Sequence, residues 1–246
     1  LFVYKRLWHT VQTIEALQKN DLSIDSELII YSDAPKDEMD KQDVTDVRKF
    51  LATISGFKSV KVVERHENWG LAKSIIQGVT ETVNRYGKVI VLEDDIVTSK
   101  YFLTFMNNAL EKYVDEKNVW HISGWNYPID PTDLDDAFFC QVMNCWGWAT
   151  WADRWKYCEK EPERIVESWD EDKIYRFNLH GVEDFWSQVK SNASGELNTW
   201  AIFWYASIFN HGGLCLNPVR SLVQNIGLDG SGENCGENNN FDNEIV

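Results

Sequence analysis

The chain has 246 residues, 43% of them hydrophobic, and a formal net charge of −15. That length supports one substantial core, and the acidic balance leaves no electrostatic footprint for nucleic acid, which needs clustered Lys and Arg. Five Cys without CxxC spacing argue against a zinc site or a complete disulfide framework, so reduced thiols in the cytoplasm are the simpler account.

In chain order, residues 1–4 read as a strand. Residues 9–19 have helical spacing through Val11, Ile14 and Leu17. Residues 28–31 form an apolar strand ended by Ser32, Asp33, Ala34 and Pro35. A helix is expected over 44–54, a short strand over 60–63, a helix over 71–86 and a strand over 89–92. A helix over 102–114 and a strand over 119–122 complete the first half. Strand and helix in alternation imply a parallel sheet covered on both faces, with ligands at the C-terminal strand ends. The polar residues placed there are Lys5, Arg6, Asp33, Glu93, Asp94 and Asp95.

The second half is less regular, rich in Trp and Gly, with an acidic helical stretch around 159–172. Residues 1–124 are expected to bind a nucleotide and 125–246 an acceptor, within one domain. The segment 225–236 carries four Gly among short polar residues and is expected to be mobile without ligand. No apolar run approaches membrane-spanning length. Asn192, Ala193 and Ser194 fit the glycosylation pattern, which is frequent by chance.

Glu93, Asp94 and Asp95 are the sharpest signal. Three carboxylates that follow a buried strand repel one another, so a positive partner should join them. Oxygen ligands suit Mg2+ or Mn2+ completed by substrate phosphates. The bland reading is a solvated turn with an Asp starting the next helix.

The stretch Asn68-Trp69-Gly70-Leu71-Ala72-Lys73-Ser74-Ile75-Ile76, followed by residues 89–96, resembles GT-A glycosyltransferases. It is similar in particular to a bacterial group resembling family 2 enzymes and N-acetylglucosaminyltransferase I. The likeness continues through Ser123-Gly124-Trp125-Asn126, Trp146-Gly147-Trp148 and Asn225-Ile226-Gly227. It implies an α/β GT-A fold, Rossmann-like, with a mixed, mainly parallel sheet flanked by helices. It implies a nucleotide-sugar donor, a UDP-sugar above others, and a glycan or lipid-linked glycan acceptor. The expected location is the cytoplasm, or the inner face of the membrane for a lipid-linked acceptor.

The resemblance also assigns roles. Asp95 would ligate the cation, Asp94 would hold a water or the donor, and Glu93 would support them. Asp33 would read the uracil ring, and Arg6, Asn68, Gly70 and Lys73 would approach the donor. Trp125 and Trp148 suggest a ring-stacking floor, with Gly147 allowing close approach of backbone to ligand. Trp146, Trp151 and Trp155 are expected in the core. The chain departs from the family where Ala201 follows Trp200, because relatives place the general base there. Glu183 and Asp184 are the nearest acidic pair upstream and are the expected base. A sugar nucleotidyltransferase or a carbohydrate-binding module remain alternatives, although Lys5-Arg6-Leu7-Trp8-His9 is not a Gly-rich phosphate loop.

Overall fold

The computed structural model describes residues 1–232. The first half alternates as expected. Strand β1 (Phe2–Val3) is followed by helix α1 (Leu7–Gln18), β2 (Glu27–Ser32), α2 (Lys41–Leu51), β3 (Ser59–Glu64), α3 (Gly70–Tyr86) and β4 (Lys88–Val91). Short β5 (Ile96–Thr98), α4 (Phe102–Lys112) and β6 (Val119–Ser123) come next. The second half contains β7 (Ala137–Cys140), β8 (Trp148–Trp151), α5 (Ala152–Trp155), α6 (Pro162–Ser168) and α7 (Glu171–Phe177). It ends with α8 (Phe185–Ala193), α9 (Ala201–Asn210), β9 (Leu214–Pro218) and β10 (Val223–Asn225).

The fold is α/β, a mixed sheet flanked by helices. Strands β3, β2 and β1 are parallel neighbours, as βαβ crossovers require. A second group runs β4-β8-β6-β9-β7, in which β6 and β9 are parallel and the other neighbours antiparallel. The Phe2 amide donates to the Leu92 carbonyl at 3.0 Å, and Phe2 bridges Glu93 in parallel, which joins the two groups at the β1–β4 seam. Strand β10 pairs antiparallel with β5 immediately after the three carboxylates.

Alternating side chains feed two cores. Val3 and Ile30 point to a core shared with Ile14 and Leu17 of α1, Val47 and Leu51 of α2, and Phe102 and Met106 of α4. Phe2 and Tyr31 point the other way, to Ile75 and Val79 of α3 and Trp204 of α9. Helix α9 is apolar all round because it is buried on two sides: Trp204 and Ile208 face the sheet, while Phe203 and Tyr205 join Trp169, Phe177 and Val189. The acidic stretch expected as one helix is two, α6 and α7, because Trp169 is extended between them and Asp170 caps α7 through the Lys173 amide.

The aromatic segment 146–148 corrects an expectation. Trp148 belongs to a strand, is fully buried, and stacks between His121 (5.4 Å) and Trp200 (5.3 Å). Its ring faces are therefore core surface and not a ligand floor. Trp125 is also buried, edge-on to Trp146 and Tyr127 at 4.7 Å each. Trp151 and Trp155 are core, as expected, whereas Trp146 is only half-buried. Gly147 has a φ of +62°, and a Cβ there would meet Val223 at 3.0 Å and Phe102 at 3.1 Å, so its backbone closeness serves packing. Asn192 is buried, and its amide is held by the Gln188 carbonyl and Thr199 Oγ1, so the glycosylation triplet is not presented.

Gly124 donates to the Gly147 carbonyl at 2.6 Å, and a Cβ at 124 would lie 2.7 Å from Phe102 and 2.8 Å from that carbonyl. Gly124→Ala should therefore lose about 1–3 kcal/mol of stability by overpacking, measured by urea unfolding. An unchanged midpoint contradicts this packing.

Candidate active site

The site forms where the turns after β4 and β1 converge. Residues 93–95 make the turn between β4 and β5, and Arg6 stands at the start of α1, just past β1. Because β1 lies beside β4, Arg6 reaches Asp94 and Asp95 across the seam. Its Nη2 donates to Asp94 Oδ1 and, at 2.7 Å, to Asp95 Oδ2. Thr10 anchors Arg6 by donating to its carbonyl (2.8 Å), and Thr13 of the same helix donates to the Asp94 carbonyl at 2.7 Å. Helix α1 thus holds both members of the ion pair.

Charge and burial compete here. Burial raises the Asp94 pKa, Arg6 opposes it, and Asp95 adds to the rise. Glu93 is raised by burial, then by Asp95 and Asp94, with Arg6 only partly offsetting. Burial alone would lower the Arg6 pKa, but the two carboxylates outweigh it and keep the guanidinium charged.

The ion pair leaves chemistry unspent. Arg6 Nη1 is buried and has no hydrogen-bond partner among the described residues. A buried guanidinium N–H without an acceptor is costly, and its natural partner is an anionic oxygen. Asp94 and Asp95 each give one oxygen to Arg6, and no hydrogen bond among the described residues takes Asp94 Oδ2 or Asp95 Oδ1. Gly227 closes this corner: a Cβ there would collide with Asp95 Oδ2 and lie 2.9 Å from Arg6 Nη1.

Among the described residues, no group of three His, Cys, Asp or Glu side chains is disposed to hold a metal ion. The available set is two hard carboxylate oxygens beside an unsatisfied anion donor. That set fits a divalent cation shared with a phosphate ligand, since Mg2+ is commonly held by one or two carboxylates plus substrate phosphates.

Asp33 organises a second cluster next to the first. Its carboxylate accepts from the amides of Ala34 (2.9 Å), Trp69 (2.9 and 3.1 Å) and Gly70 (2.9 Å), with Ser74 Oγ at 3.5 Å. Those bonds cap α3, satisfying amides that a helix start leaves orphaned. Asn68 donates to the Ala34 carbonyl at 2.7 Å, and Gly70 takes the positive φ (+69°) that the turn needs. Lys73 is exposed, 4.3 Å over the Trp69 ring and 3.8 Å from Glu67, while Arg65 covers Trp69 at 3.8 Å. The structure therefore brings Arg6, Asp94 and Asp95 together, and separately Asp33, Asn68 and Gly70. Lys73 is turned toward Trp69.

The expected base pair divides. Asp184 is the N-cap of α8, with Oδ1 accepting from the Ser187 amide (3.2 Å) and Oδ2 from the Ser187 hydroxyl (2.5 Å), which lowers its pKa. Glu183 is exposed and makes no side-chain hydrogen bond among the described residues. The Tyr127 phenol pKa is raised by burial first and then by the Glu183 carboxylate, and the Tyr127 ring packs edge-on against Trp125.

The sequence reading missed the contribution of α1. Thr10 and Thr13 share its buried face with Ile14, a position that apolar periodicity alone reads as core. It also took 225–236 as one mobile unit. In the structure its start is docked: Asn225 ends β10, and the Ile226 amide donates to the Asp95 carbonyl at 2.9 Å. Residues 233–236 lie outside the described residues.

No protein-family model matches this chain, and no curated protein matches it. Solved structures do. One is the mannosyltransferase PcManGT from Pyrobaculum calidifontis in complex with GDP-Man and Mn2+, at 13% identity and a TM-score of 0.43, covering 86% of this chain and 68% of that one. Another is TarS residues 1–349 from S. aureus, at 17% identity and a TM-score of 0.34, covering 49% of this chain and 33% of that one.

The Asp33 network has a direct consequence. Asp33→Ala orphans the Trp69 and Gly70 amides, so it should cost about 1–3 kcal/mol in urea unfolding and speed hydrogen exchange at both. Unchanged exchange at Trp69 and Gly70 contradicts the capping role.

Proposed function

We propose that this protein is a metal-dependent GT-A glycosyltransferase. It moves a sugar from a nucleoside-diphosphate donor, a UDP-sugar above others, to a hydroxyl of a glycan or lipid-linked glycan. One observation carries the reading: the buried Nη1 of Arg6, without a hydrogen-bond partner among the described residues, beside two carboxylates that each keep an oxygen free of hydrogen bonds among those residues. A diphosphate meets both needs, because one phosphate oxygen accepts from Nη1 while others complete the coordination of a cation.

Asp95, with Asp94 beside it, would hold Mn2+ or Mg2+ together with the donor phosphates. When bound, the cation neutralises the charge that develops on the departing diphosphate. Arg6 does part of that work as a fixed charge, with the Gly227 backbone packed against it. Glu93, bridged through its backbone to Phe2, would support the geometry of the pair. Asp33, at the end of β2, sets the 68–70 turn that begins α3, beside which the pyrimidine is read, and Lys73 offers an exposed positive charge.

Glu183 takes the proton of the acceptor hydroxyl, since both Asp184 oxygens are committed to the α8 cap. The exposed Tyr127 ring, whose phenol feels the Glu183 carboxylate, offers flat apolar surface for an acceptor sugar. Direct displacement by a deprotonated hydroxyl inverts the anomeric carbon. Ala201 at the head of α9 has no carboxylate, and in the nearest upstream acidic pair Glu183, in the α7–α8 connection, is the member with its oxygens free of a helix cap.

Two tests follow. In calorimetry, UDP should bind at least about tenfold tighter with Mn2+ than in EDTA, a coupling of roughly 1.4 kcal/mol, and Asp95→Asn should remove that gain. Equal affinity under both conditions contradicts metal-assisted donor binding. In turnover assays, Glu183→Gln should lower kcat by a factor on the order of 100 or more, and Asp184→Asn far less. A wild-type rate in Glu183→Gln removes it as the base.

A further inference from the structure

The segment after β10 is fastened to the carboxylate corner by one backbone bond and folds back on itself by a second. The Ile226 amide donates to the Asp95 carbonyl (2.9 Å), and the Gly227 amide donates to Asn225 Oδ1 (2.7 Å). Gly227 then lies so close to Asp95 and Arg6 that no side chain fits there. Two residues later, Asp229 Oδ2 lies 3.1 Å from Nε2 of His9, a contact spanning 220 residues of chain. His9 is buried in the first turn of α1, three residues past Arg6. Asp229 is aimed by its own turn, because its Oδ1 accepts from the Ser231 amide (3.0 Å) and hydroxyl (2.6 Å). One helix therefore carries both the guanidinium and the anchor of the segment that covers it.

We infer that His9 and Asp229 form a latch that seats Gly227 on the Arg6–Asp95 pair, which makes His9 a positioning residue for the nucleoside diphosphate. The inference rests on the donor-binding reading above. With the latch made, the 226–227 backbone is a fixed wall along the corner where Nη1 waits for a phosphate oxygen. Without it, the segment loses its anchor beyond Asp95, the wall loosens, and water enters beside the diphosphate. The residue types fit this role. Glycine permits the close approach, and a His–Asp contact is strong enough to hold a turn yet, with Asp229 half-exposed, can open.

Hydrogen exchange of the ligand-free protein tests the latch independently of any ligand. His9→Ala should speed exchange at Ile226 and Gly227 about tenfold or more while the β5 amides stay unchanged. His9→Gln, which retains a donor near the Nε2 position, should restore protection. Asp229→Ala, at a half-exposed position, should reproduce the His9→Ala pattern even if the buried His9 variant folds poorly. UDP calorimetry with Mn2+ then reads the positioning role, with Kd rising about tenfold in His9→Ala and Asp229→Ala and returning toward wild type in His9→Gln. Unchanged exchange in both alanine variants overturns the latch. Faster exchange with unchanged UDP affinity overturns the positioning role. Absence of UDP binding by the wild-type protein overturns the donor reading instead, leaving the exchange result to decide the latch.

Discussion

Two carboxylates held side by side at the end of a buried strand repel each other and resist losing water, and a compensating charge has to reach them. In this protein that charge arrives from Arg6, across the β1–β4 seam at the same strand ends. The pairing dictates much of the neighbouring architecture. Strand β1 must lie beside β4, which the Phe2–Leu92 bond secures, and α1 must start where Arg6 leaves the strand. Thr10 and Thr13 then lock the helix to the two halves of the ion pair. Glycine is required at 227 because the last strand is brought directly against Asp95.

The rest of the molecule separates support from chemistry. The parallel half, β3-β2-β1, places Asp33 at a strand end, where its carboxylate gathers the amides that begin α3. The second half inserts β8 antiparallel between β4 and β6, and its Trp148 and Trp151 fill opposite sides of the sheet. The abundant Trp is thus spent largely on holding the long, mixed sheet together. Tyr127 stays exposed and Trp146 half-buried.

The first half was legible because each element carries a strong local pattern. The helix over 70–86 and the apolar strands over 27–32 and 88–91 follow from periodicity, with boundaries shifted by a residue or a few. The strand-end carboxylates were legible for the same reason, since an apolar strand followed by three acids has few bland explanations. Strand β8 was not, because Trp148-Ala149-Thr150-Trp151 is a fully buried strand whose residues look equally at home in a ligand pocket. Asp33 was placed correctly at its strand end, but its capping of α3 depends on a turn contributed 36 residues later. The His9–Asp229 contact joins the two ends of the chain, and nothing local in either segment signals it.

The central claim is that Arg6 Nη1, with Asp94 and Asp95, receives a diphosphate. A crystal structure of the wild-type protein with UDP and Mn2+ measures this directly. The expected density places a phosphate oxygen within hydrogen-bond distance of Arg6 Nη1 and a cation between the diphosphate and Asp95. A diphosphate bound elsewhere, with Arg6 Nη1 still lacking an anionic partner, would contradict it.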